Sequence, residues 1–423
     1  MAAYLLCLTE EGGVPIFTKT KGDLKLLPFP VIGSMNGVHM FASNHGVSLV
    51  TTTTEDSKVA WKVFHDSIKL ILVSHDDQAN DKYYLQCLDL LFNGMVLLCG
   101  LEELTKIRNV ERLKKEIKVS LPLAETLLEQ ADLPLICDLT GCVDMVATSE
   151  SATLQNCIDA FAESAESPYG CLFVYGKVVV ATKKWWNLTS MEQILLSLLI
   201  HTLPKCSCRD LVVYLPDTSP KVPHRLLMFQ LVQGVEACVI CGPKPSLAEL
   251  QRDVSRFWRT VFEPLKTLTW SHPRNFPTSI VLDKNILGFL LVNSESKRCL
   301  YSVHIQQEAE PNTGRRHCKT LPPKQCREIL RSFYKSVCGT LFTTLSSPKI
   351  IPASAQDQDH QISSLNHATH GTYLVSPTHK CYALKNKTIQ LYVLFSSSIP
   401  TYAMRSVSNK TLGALTKDKT MQL

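Results

Sequence analysis

Short apolar stretches separated by turn residues organise the first 120 residues of the chain. Two of them, Tyr4 to Leu8 and Val14 to Thr18, flank the cluster Thr9 to Gly13 and predict a β-hairpin. Apolar residues then recur at helical spacing from Val31 to Ala42, which predicts a helix. Three strands and two helices are predicted next, at Gly46 to Thr53, Lys58 to Phe64, Ile68 to Ser74, Asn80 to Cys99 and Leu101 to Lys118.

The middle of the chain repeats this order after an additional amphipathic helix between Leu154 and Ala165. A hairpin is predicted from Cys171 to Ala181. Thr189 and Glu192 have the spacing of a capping box, which predicts the start of a helix that extends to His201. Three strands and a long amphipathic helix complete the unit, at Leu211 to Leu215, Leu226 to Val232, Ala237 to Cys241 and Leu247 to Leu265.

The last third of the chain shows the same elements less regularly. Strands are predicted from Ile286 to Val292 and from Arg298 to Ile305, and a helix follows Pro322-Pro323. The stretch from Ser346 to Thr369 is polar and lacks periodicity, which predicts a long mobile surface loop. Three strands and a terminal helix follow, at Gly371 to Val375, Lys380 to Leu384, Ile389 to Phe395 and Tyr402 to Leu415.

The recurrence of hairpin, helix and three further strands predicts one α+β architecture used three times. A chain of 423 residues has room for about three domains of roughly 150 residues each. We predict domains at residues 1–120, 149–272 and 273–423, with residues 121–148 as a linker segment. The mobile loop around 346–369 belongs to the third domain.

Composition excludes several classes of protein. The chain is 45% hydrophobic and 19% charged, which supplies ample material for packed cores. Its net charge of +6 is too small for this length to indicate a dedicated nucleic-acid binder. Most of the 16 cysteines lie in apolar runs, as buried thiols do in a reducing compartment. The chain shows neither a signal peptide nor an apolar run near the ~20 residues of a membrane span, so we expect a cytosolic protein.

Three patterns have the residue types of reactive or metal sites, and structural roles explain them better. Gly170 to Lys177 has one residue too many between its glycines for a phosphate loop. His65-Asp66-Ser67 fits a tight turn, because neighbours in sequence cannot converge on one reacting atom. Four cysteines have a spacing that keeps a zinc site open as an alternative, although strand residues three apart point to opposite faces. These cysteines are Cys206, Cys208, Cys238 and Cys241. We predict no catalytic, cofactor-binding or metal-binding residues.

Basic side chains follow the polar side of the predicted helix from Leu101 to Lys118. A solvated helix face is the ordinary explanation. The alternative is a surface for an acidic partner or for an anionic phospholipid head group. Nucleic acid is not expected, because no aromatic residues are interleaved with the charges. The residues of this candidate patch are Lys106, Arg108, Arg112, Lys114, Lys115 and Lys118.

Several stretches are specific enough as strings to resemble a known family. Leu27 to Phe41 reads Leu-Pro-Phe-Pro-Val-Ile-Gly-Ser-Met-Asn-Gly-Val-His-Met-Phe and resembles the first helix region of the Fuzzy family of planar-cell-polarity effectors. Further resemblance lies in Phe64 to Ile68, Gly100 to Thr105, Ile107 to Lys115, Val222 to Leu227 and Cys241 to Pro243, and more weakly in Ile286 to Gly288 and Lys297 to Leu300.

The resemblance implies a fold and a set of partners. Fuzzy proteins are similar to tri-longin proteins, which implies three longin-like domains, each an antiparallel sheet of about five strands flanked by helices. It also implies a heterodimer with Inturned, an association with the WD-repeat protein Fritz, and a Rab-like small GTPase. The implied location is the ciliary base or basal body and its cytoskeleton, in support of ciliogenesis and planar cell polarity. A phosphoinositide membrane surface is a further candidate partner.

The implied function is binding rather than bond-making. A protein that binds the nucleotide-free GTPase more tightly than the loaded form promotes nucleotide exchange without a nucleophile or a base. We expect the docking surface on the helix of the first domain, with Ile32, Asn36, His39 and Met40 as interface candidates. The alternative for half of these four residues is a core or inter-domain contact. Two alternatives remain: an exchange factor acting with Inturned, or a scaffold that recruits a GTP-loaded GTPase without exchanging its nucleotide.

Overall fold

Three β-sheets, one for each domain, form the framework of the molecule in a computed structural model. The structure describes residues 3–21, 25, 27–75, 81–128, 135–304, 321–342 and 370–417. The predicted α+β class, with three largely antiparallel sheets flanked by helices, is confirmed. The predicted loop at 346–369 lies outside the described residues.

The first domain is built on a five-stranded antiparallel sheet. Numbered along the chain within the domain, its strands lie in the order second, first, fifth, fourth, third. A hairpin, a helix and a three-strand meander produce this order, as the sequence pattern predicts. The elements are β1 (Ala3–Thr9), β2 (Pro15–Lys21), α1 (Phe29–Asn44), β3 (Thr51–Thr53), β4 (Lys58–Phe64), β5 (Ile68–Ser74), α2 (Asp81–Cys99), α3 (Leu101–Thr105) and α4 (Val110–Ile117).

Residues 101–118 form the two helices α3 and α4, so the prediction of one continuous helix is wrong. Asn109 has an extended backbone, and its side-chain oxygen accepts hydrogen bonds from the backbone N–H groups of Glu111 (2.9 Å) and Arg112 (3.2 Å). These bonds satisfy donors that have no partner at a helix start. A local side-chain cap therefore begins a new helix inside a continuous apolar periodicity.

The segment 121–148 is a folded connector between the domains. It contains α5 (Leu121–Leu128), α6 (Cys137–Thr140) and the short strand β6 (Val143–Asp144). The backbone N–H of Met145 donates to the carbonyl of Cys299 in the third domain (2.8 Å), and that of Val146 donates to the carbonyl of Val178 in the second (2.8 Å). Consecutive residues of the connector therefore join the edges of two sheets.

The second domain repeats the strand order of the first. The capping box is confirmed: the Thr189 hydroxyl accepts from the Glu192 N–H (3.3 Å), and the Glu192 carboxylate accepts from the Thr189 N–H (3.0 Å). The elements are α7 (Ser151–Ser164), β7 (Tyr169–Val174), β8 (Lys177–Ala181), α8 (Ser190–Thr202), β9 (Cys208–Leu215), β10 (Ser219–Val232), β11 (Val235–Cys241), α9 (Leu247–Trp258) and α10 (Phe262–Ser271).

The third domain has the same order again, extended at one edge by the connector. Its elements are β12 (Ile286–Asn293), β13 (Arg298–Ser302), α11 (Pro323–Thr340), β14 (Gly371–Val375), β15 (His379–Asn386), β16 (Ile389–Ser396) and α12 (Met404–Lys417). The full sheet reads β14-β15-β16-β12-β13-β6, in which β6 pairs with β13 in parallel.

One hydrophobic core is shared by the three domains. It contains side chains of α2 in the first domain, α5 in the connector, α8 in the second domain and α11 in the third. The helix that follows the first hairpin is α1 in the first domain, α8 in the second and α11 in the third. Of these three, α8 and α11 lie inside the shared core, whereas α1 covers the opposite, outer face of the first sheet. The first domain is therefore turned the other way round, with α1 on the outside of the molecule.

Candidate docking surface

The helix α1 is held on the outer face of the first sheet by a narrow contact. Pro28 precedes the helix in an extended conformation, and a proline in the first turn favours the helix start. Ile32 packs against an apolar face that includes Leu6 and Ile71, and the indole N–H of Trp61 donates to the carbonyl of Met35 (3.3 Å). This contact covers only one side of an apolar helix.

The uncovered side of α1 is an apolar surface. Phe29 and Phe41 are 71% and 67% exposed. Phe41 lies twelve residues after Phe29 and about 120° further round the helix axis, and the positions between them at four-residue spacing are Gly33 and Gly37. A Cβ at either glycine would point into open space, with no atom of another element within 4 Å, so no other element covers the helix between the two rings. We call this the α1 face; its exposed apolar residues are Phe29, Val31, Val38, Met40 and Phe41.

The two glycines carry a cost that the rest of the described chain does not explain. Glycine inside a helix is less favourable than alanine by roughly 0.5–1 kcal/mol. Gly33 and Gly37 leave room that no neighbouring residue fills. Small residues at such positions allow the backbone of another element to approach closely, which is consistent with a docking surface.

A buried polar cluster lies beneath α1. Lys69 of β5 is fully buried, and its ammonium group forms an ion pair with Glu10 (2.9 Å) and donates to the side-chain oxygen of Asn36 (2.9 Å). His39 lies close by; burial and the charge of Lys69 lower its pKa. Gly13, in the turn of the first hairpin, packs so closely on Asn36 that a side chain there would collide with it. The cluster fixes the position of the helix on the sheet.

Three of the four predicted interface residues belong to this underside. Ile32, Asn36 and His39 are buried, which is the core position expected as the alternative for half of the candidates. They share one helical face, and that face packs on the sheet. Met40 is exposed at its flank, and its sulfur accepts a hydrogen bond from the Asn36 amide (3.3 Å). The residues that sequence reasoning missed are the two phenylalanines; apolar positions all round the helix were their signal.

The candidate basic patch is interleaved with carboxylates. Arg112 pairs with Glu116 (2.7 Å), Lys114 with Glu111 (2.7 Å), and Lys106 with Glu102 (3.2 Å). Exposed pairs of this kind stabilise little, but they neutralise the field that an anionic partner would recognise. Among the described residues, the members without an ion pair are Arg108, Lys115 and Lys118. The candidate patch of six residues stays a prediction for an anionic partner or lipid surface.

The patterns that resemble reactive sites have structural positions. Gly170 to Lys177 forms the β7–β8 hairpin, and Lys177 is buried. His65 and Asp66 form the β4–β5 turn with positive φ angles. Across the part of the chain that the structure describes, no three His, Cys, Asp or Glu side chains are grouped as a metal site would require. Within that same part, no helix has the length and apolarity to span a bilayer.

Comparison with known proteins agrees with the repeated strand order. Residues 3–127 match the family model described as the first longin domain of FUZ, MON1 and HPS1. Residues 165–259 and 285–419 match the second and third longin domains of the same proteins. The fold and these matches together define a protein of three longin domains.

Curated relatives cover nearly the whole chain. It is 43% identical over 427 residues to the protein fuzzy homolog of Xenopus tropicalis, which spans 99% of this chain and 98% of that protein. It is 40% identical over 424 residues to the protein fuzzy homolog of Homo sapiens, spanning 98% and 97%. The corresponding protein of Mus musculus is 39% identical over 418 residues, with the same coverage. The chain belongs to the Fuzzy family.

Proposed function

We propose that this chain is a non-catalytic docking subunit that, with Inturned, binds a Rab-like small GTPase and promotes its nucleotide exchange. The complex supports ciliogenesis and planar cell polarity at the ciliary base, with Fritz as a further partner. The observation that carries the proposal is the α1 face, an exposed apolar surface on a domain whose other face is buried in the shared core.

The α1 face has the composition of a binding surface. Contiguous exposed apolar side chains are uncommon on monomers and mark interaction sites. Phe29 and Phe41 are suited to be anchors, because aromatic side chains contribute most of the binding energy where a partner excludes water. Val47 and Val50, which follow the helix, are also exposed and extend the apolar area towards β3. A partner that covered this face would remove a large apolar area from water.

Exchange needs a difference in affinity and no reacting group. A subunit pair that binds the nucleotide-free GTPase more tightly weakens nucleotide binding by the same factor, because the two equilibria are linked. A rigid surface is enough for this purpose. The polar cluster of Lys69, Glu10 and Asn36 supports such rigidity, since it ties α1 to the sheet with a buried charge.

Release of a fluorescent GDP analogue from the Rab-like GTPase, measured with the Inturned heterodimer, tests the proposal. We expect the heterodimer to accelerate release, and Phe29→Ser with Phe41→Ser to reduce this effect by at least about tenfold, as loss of two aromatic anchors does at interfaces. Val281→Ser is the matched control, because Val281 is 84% exposed and lies in the third domain.

Three outcomes would count against parts of the proposal. Unchanged GDP release together with binding only to the GTP-loaded form would favour the scaffold alternative. If the double phenylalanine variant accelerated GDP release as the wild type does, the α1 face would be excluded as the docking surface for the GTPase. An equal loss in the Val281→Ser control would mean that the assay reports general surface hydrophobicity rather than a defined interface.

A further inference from the structure

The strand β14 is an open edge of the third sheet. Among the described strands it pairs with β15 alone. Tyr373, Leu374 and Val375 are each about half exposed or more. Successive strand residues point to opposite faces, so neither α11 nor α12 covers this edge. No described strand pairs with the outer edge of β14. Natural sheets usually protect such an apolar edge by charges, prolines or short length.

The backbone hydrogen bonds show which groups of β14 face outwards. The Lys385 N–H donates to the carbonyl of His370 (2.8 Å), and the Ser376 N–H donates to the carbonyl of His379 (2.9 Å). In an antiparallel pair, residues alternate between those that bond to the partner strand and those that face away. The residues whose N–H and C=O groups point away from β15 are therefore Gly371, Tyr373 and Val375.

The charged side chains of the segment that carries this edge, residues 370–417, have a single sign. Residues 370–417 contain no aspartate or glutamate. Lys380 lies opposite Val375, and Lys385 lies just beyond the other end of β14. Their ammonium groups donate to the carbonyls of Ile399 (2.5 Å) and Phe342 (3.5 Å), and neither lysine has a carboxylate partner among the described residues. The six basic residues of 370–417 are Lys380, Lys385, Lys387, Arg405, Lys410 and Lys417.

We propose that β14 is the docking site for an extended acidic segment of a partner protein, which joins the third sheet as an additional strand. The outward N–H and C=O groups supply the hydrogen bonds of a new ladder. The side chains of Tyr373 and Val375 contact alternate apolar residues of the segment, and the lysines at both ends attract its carboxylates. This surface is separate from the α1 face and does not depend on a GTPase.

Charge decides between the possible occupants. A second copy of the chain would bring the same cations to the same edge, so like charges would oppose that pairing. An anionic membrane would satisfy the lysines but would offer no strand for the outward backbone groups. An extended acidic segment satisfies both features.

A synthetic peptide of alternating valine and glutamate, labelled with fluorescein, tests the proposal by fluorescence anisotropy with the full chain. We expect binding that weakens as salt rises, and no binding of the corresponding valine–lysine peptide. Tyr373→Pro removes an outward N–H without removing a bond to β15, and edge strands tolerate such a proline. We expect Tyr373→Pro to weaken peptide binding by at least about tenfold. The outward backbone groups of Gly371, Tyr373 and Val375 can then no longer all bond to the peptide.

Tyr373→Val is the matched control, because it keeps the N–H and an apolar side chain; we expect its affinity to stay within about threefold of wild type. Hydrogen exchange gives a second readout: the peptide should slow exchange of the Tyr373 and Val375 amides. Phe41→Ser should bind the peptide normally, so failure here is distinguishable from failure of the proposed GTPase function.

Several results would overturn the proposal. Equal peptide binding by wild type and Tyr373→Pro, with unchanged melting temperatures, would exclude β14 as the binding site of the peptide. A dimer in sedimentation that Tyr373→Pro dissociates would assign the edge to a second copy. Binding to phosphatidylserine vesicles that is insensitive to Tyr373→Pro, with no peptide binding, would assign the cations to a membrane.

Discussion

Lys69 shows how one residue departs from the pattern around it. It lies in the run Ile68-Lys69-Leu70-Ile71, where a lysine side chain would ordinarily face water. Here it is fully buried beneath α1 and paired with Glu10 and Asn36. A buried cation needs such partners, because removing charge from water is costly. The residue therefore links a strand, a turn and a helix through one ammonium group.

Replacing Lys69 by methionine should loosen α1 without unfolding the protein. The variant keeps the apolar stem but leaves the Asn36 oxygen without a donor, at a cost of about 2 kcal/mol. Hydrogen exchange of the α1 amides should accelerate about 30-fold, because a loss of about 2 kcal/mol corresponds to that factor in the opening equilibrium. Lys62→Met is the control, since Lys62 forms a partly exposed ion pair with Asp89 and should change little. Unchanged exchange in α1 would show that the cluster does not hold the helix.

Glu236 is a second single residue with a testable effect: it should make the stability of the protein depend on pH. Burial raises its pKa from 4.5 to about 7, opposed by Lys205, and one carboxylate oxygen has no hydrogen-bond partner among the described residues. Because the pKa is higher in the folded state, the folded state binds more protons between pH 4.5 and 7. The contribution of Glu236 to the free energy of unfolding therefore falls as pH rises through this window, by at most about 3 kcal/mol.

The variant Glu236→Gln should remove this dependence. At pH 8 it should melt at a higher temperature than wild type, because it carries no buried charge. Near pH 4.5 the two proteins should melt together, because the wild-type carboxyl is then largely protonated. Differential scanning fluorimetry of both proteins at the two pH values measures the difference, in which contributions from other titrating groups cancel. A constant difference across pH would refute a raised pKa.

At the scale of single elements, apolar periodicity located the helices but did not settle their ends or their uncovered faces. The line of apolar residues through 101–118 continues across the break between α3 and α4, because both helices pack on the same core. The cap at Asn109 decides where α4 begins. In α1, both faces are apolar, and sequence alone does not say which of them meets the sheet.

Asn109→Ala should fray the start of α4. Loss of a side-chain cap costs about 1 kcal/mol, so exchange of the amides of residues 111–113 should accelerate about fivefold. Asn109→Asp is the matched control, because its carboxylate also accepts from the first-turn N–H groups and suits the positive end of a helix dipole. Equal exchange in both variants would mean that packing, rather than the cap, sets the helix start.

At the scale of the whole molecule, a shared core and a folded connector make the three domains interdependent. Residues of all three sheets contribute to one core, and the connector bonds to the second and third sheets at consecutive positions. The buried Arg331 of α11 also pairs with Asp138 of α6, through nitrogen–oxygen distances of 2.5 and 3.1 Å. These contacts predict that the second and third domains unfold together.

Met145→Pro should uncouple them. It removes the N–H that bonds to the buried Cys299 carbonyl, and an unpaired buried carbonyl costs about 1–3 kcal/mol. Scanning calorimetry should then show a separate transition at lower temperature. Met145→Leu keeps the N–H and a similar volume, so it should retain the wild-type profile. A single unshifted transition in the proline variant would show that the connector does not couple the domains.

The sequence by itself determined the order of strands and helices in each domain, because turn residues, capping boxes and apolar periodicity act within a few residues of each other. It also determined that this order occurs three times. The stretches that resemble the Fuzzy family indicated the longin fold. Only the tertiary structure decided that α1 turns outwards while α8 and α11 turn inwards, and that Ile32, Asn36 and His39 face the sheet. These properties depend on residues that are distant along the chain, and burial is set by which faces meet.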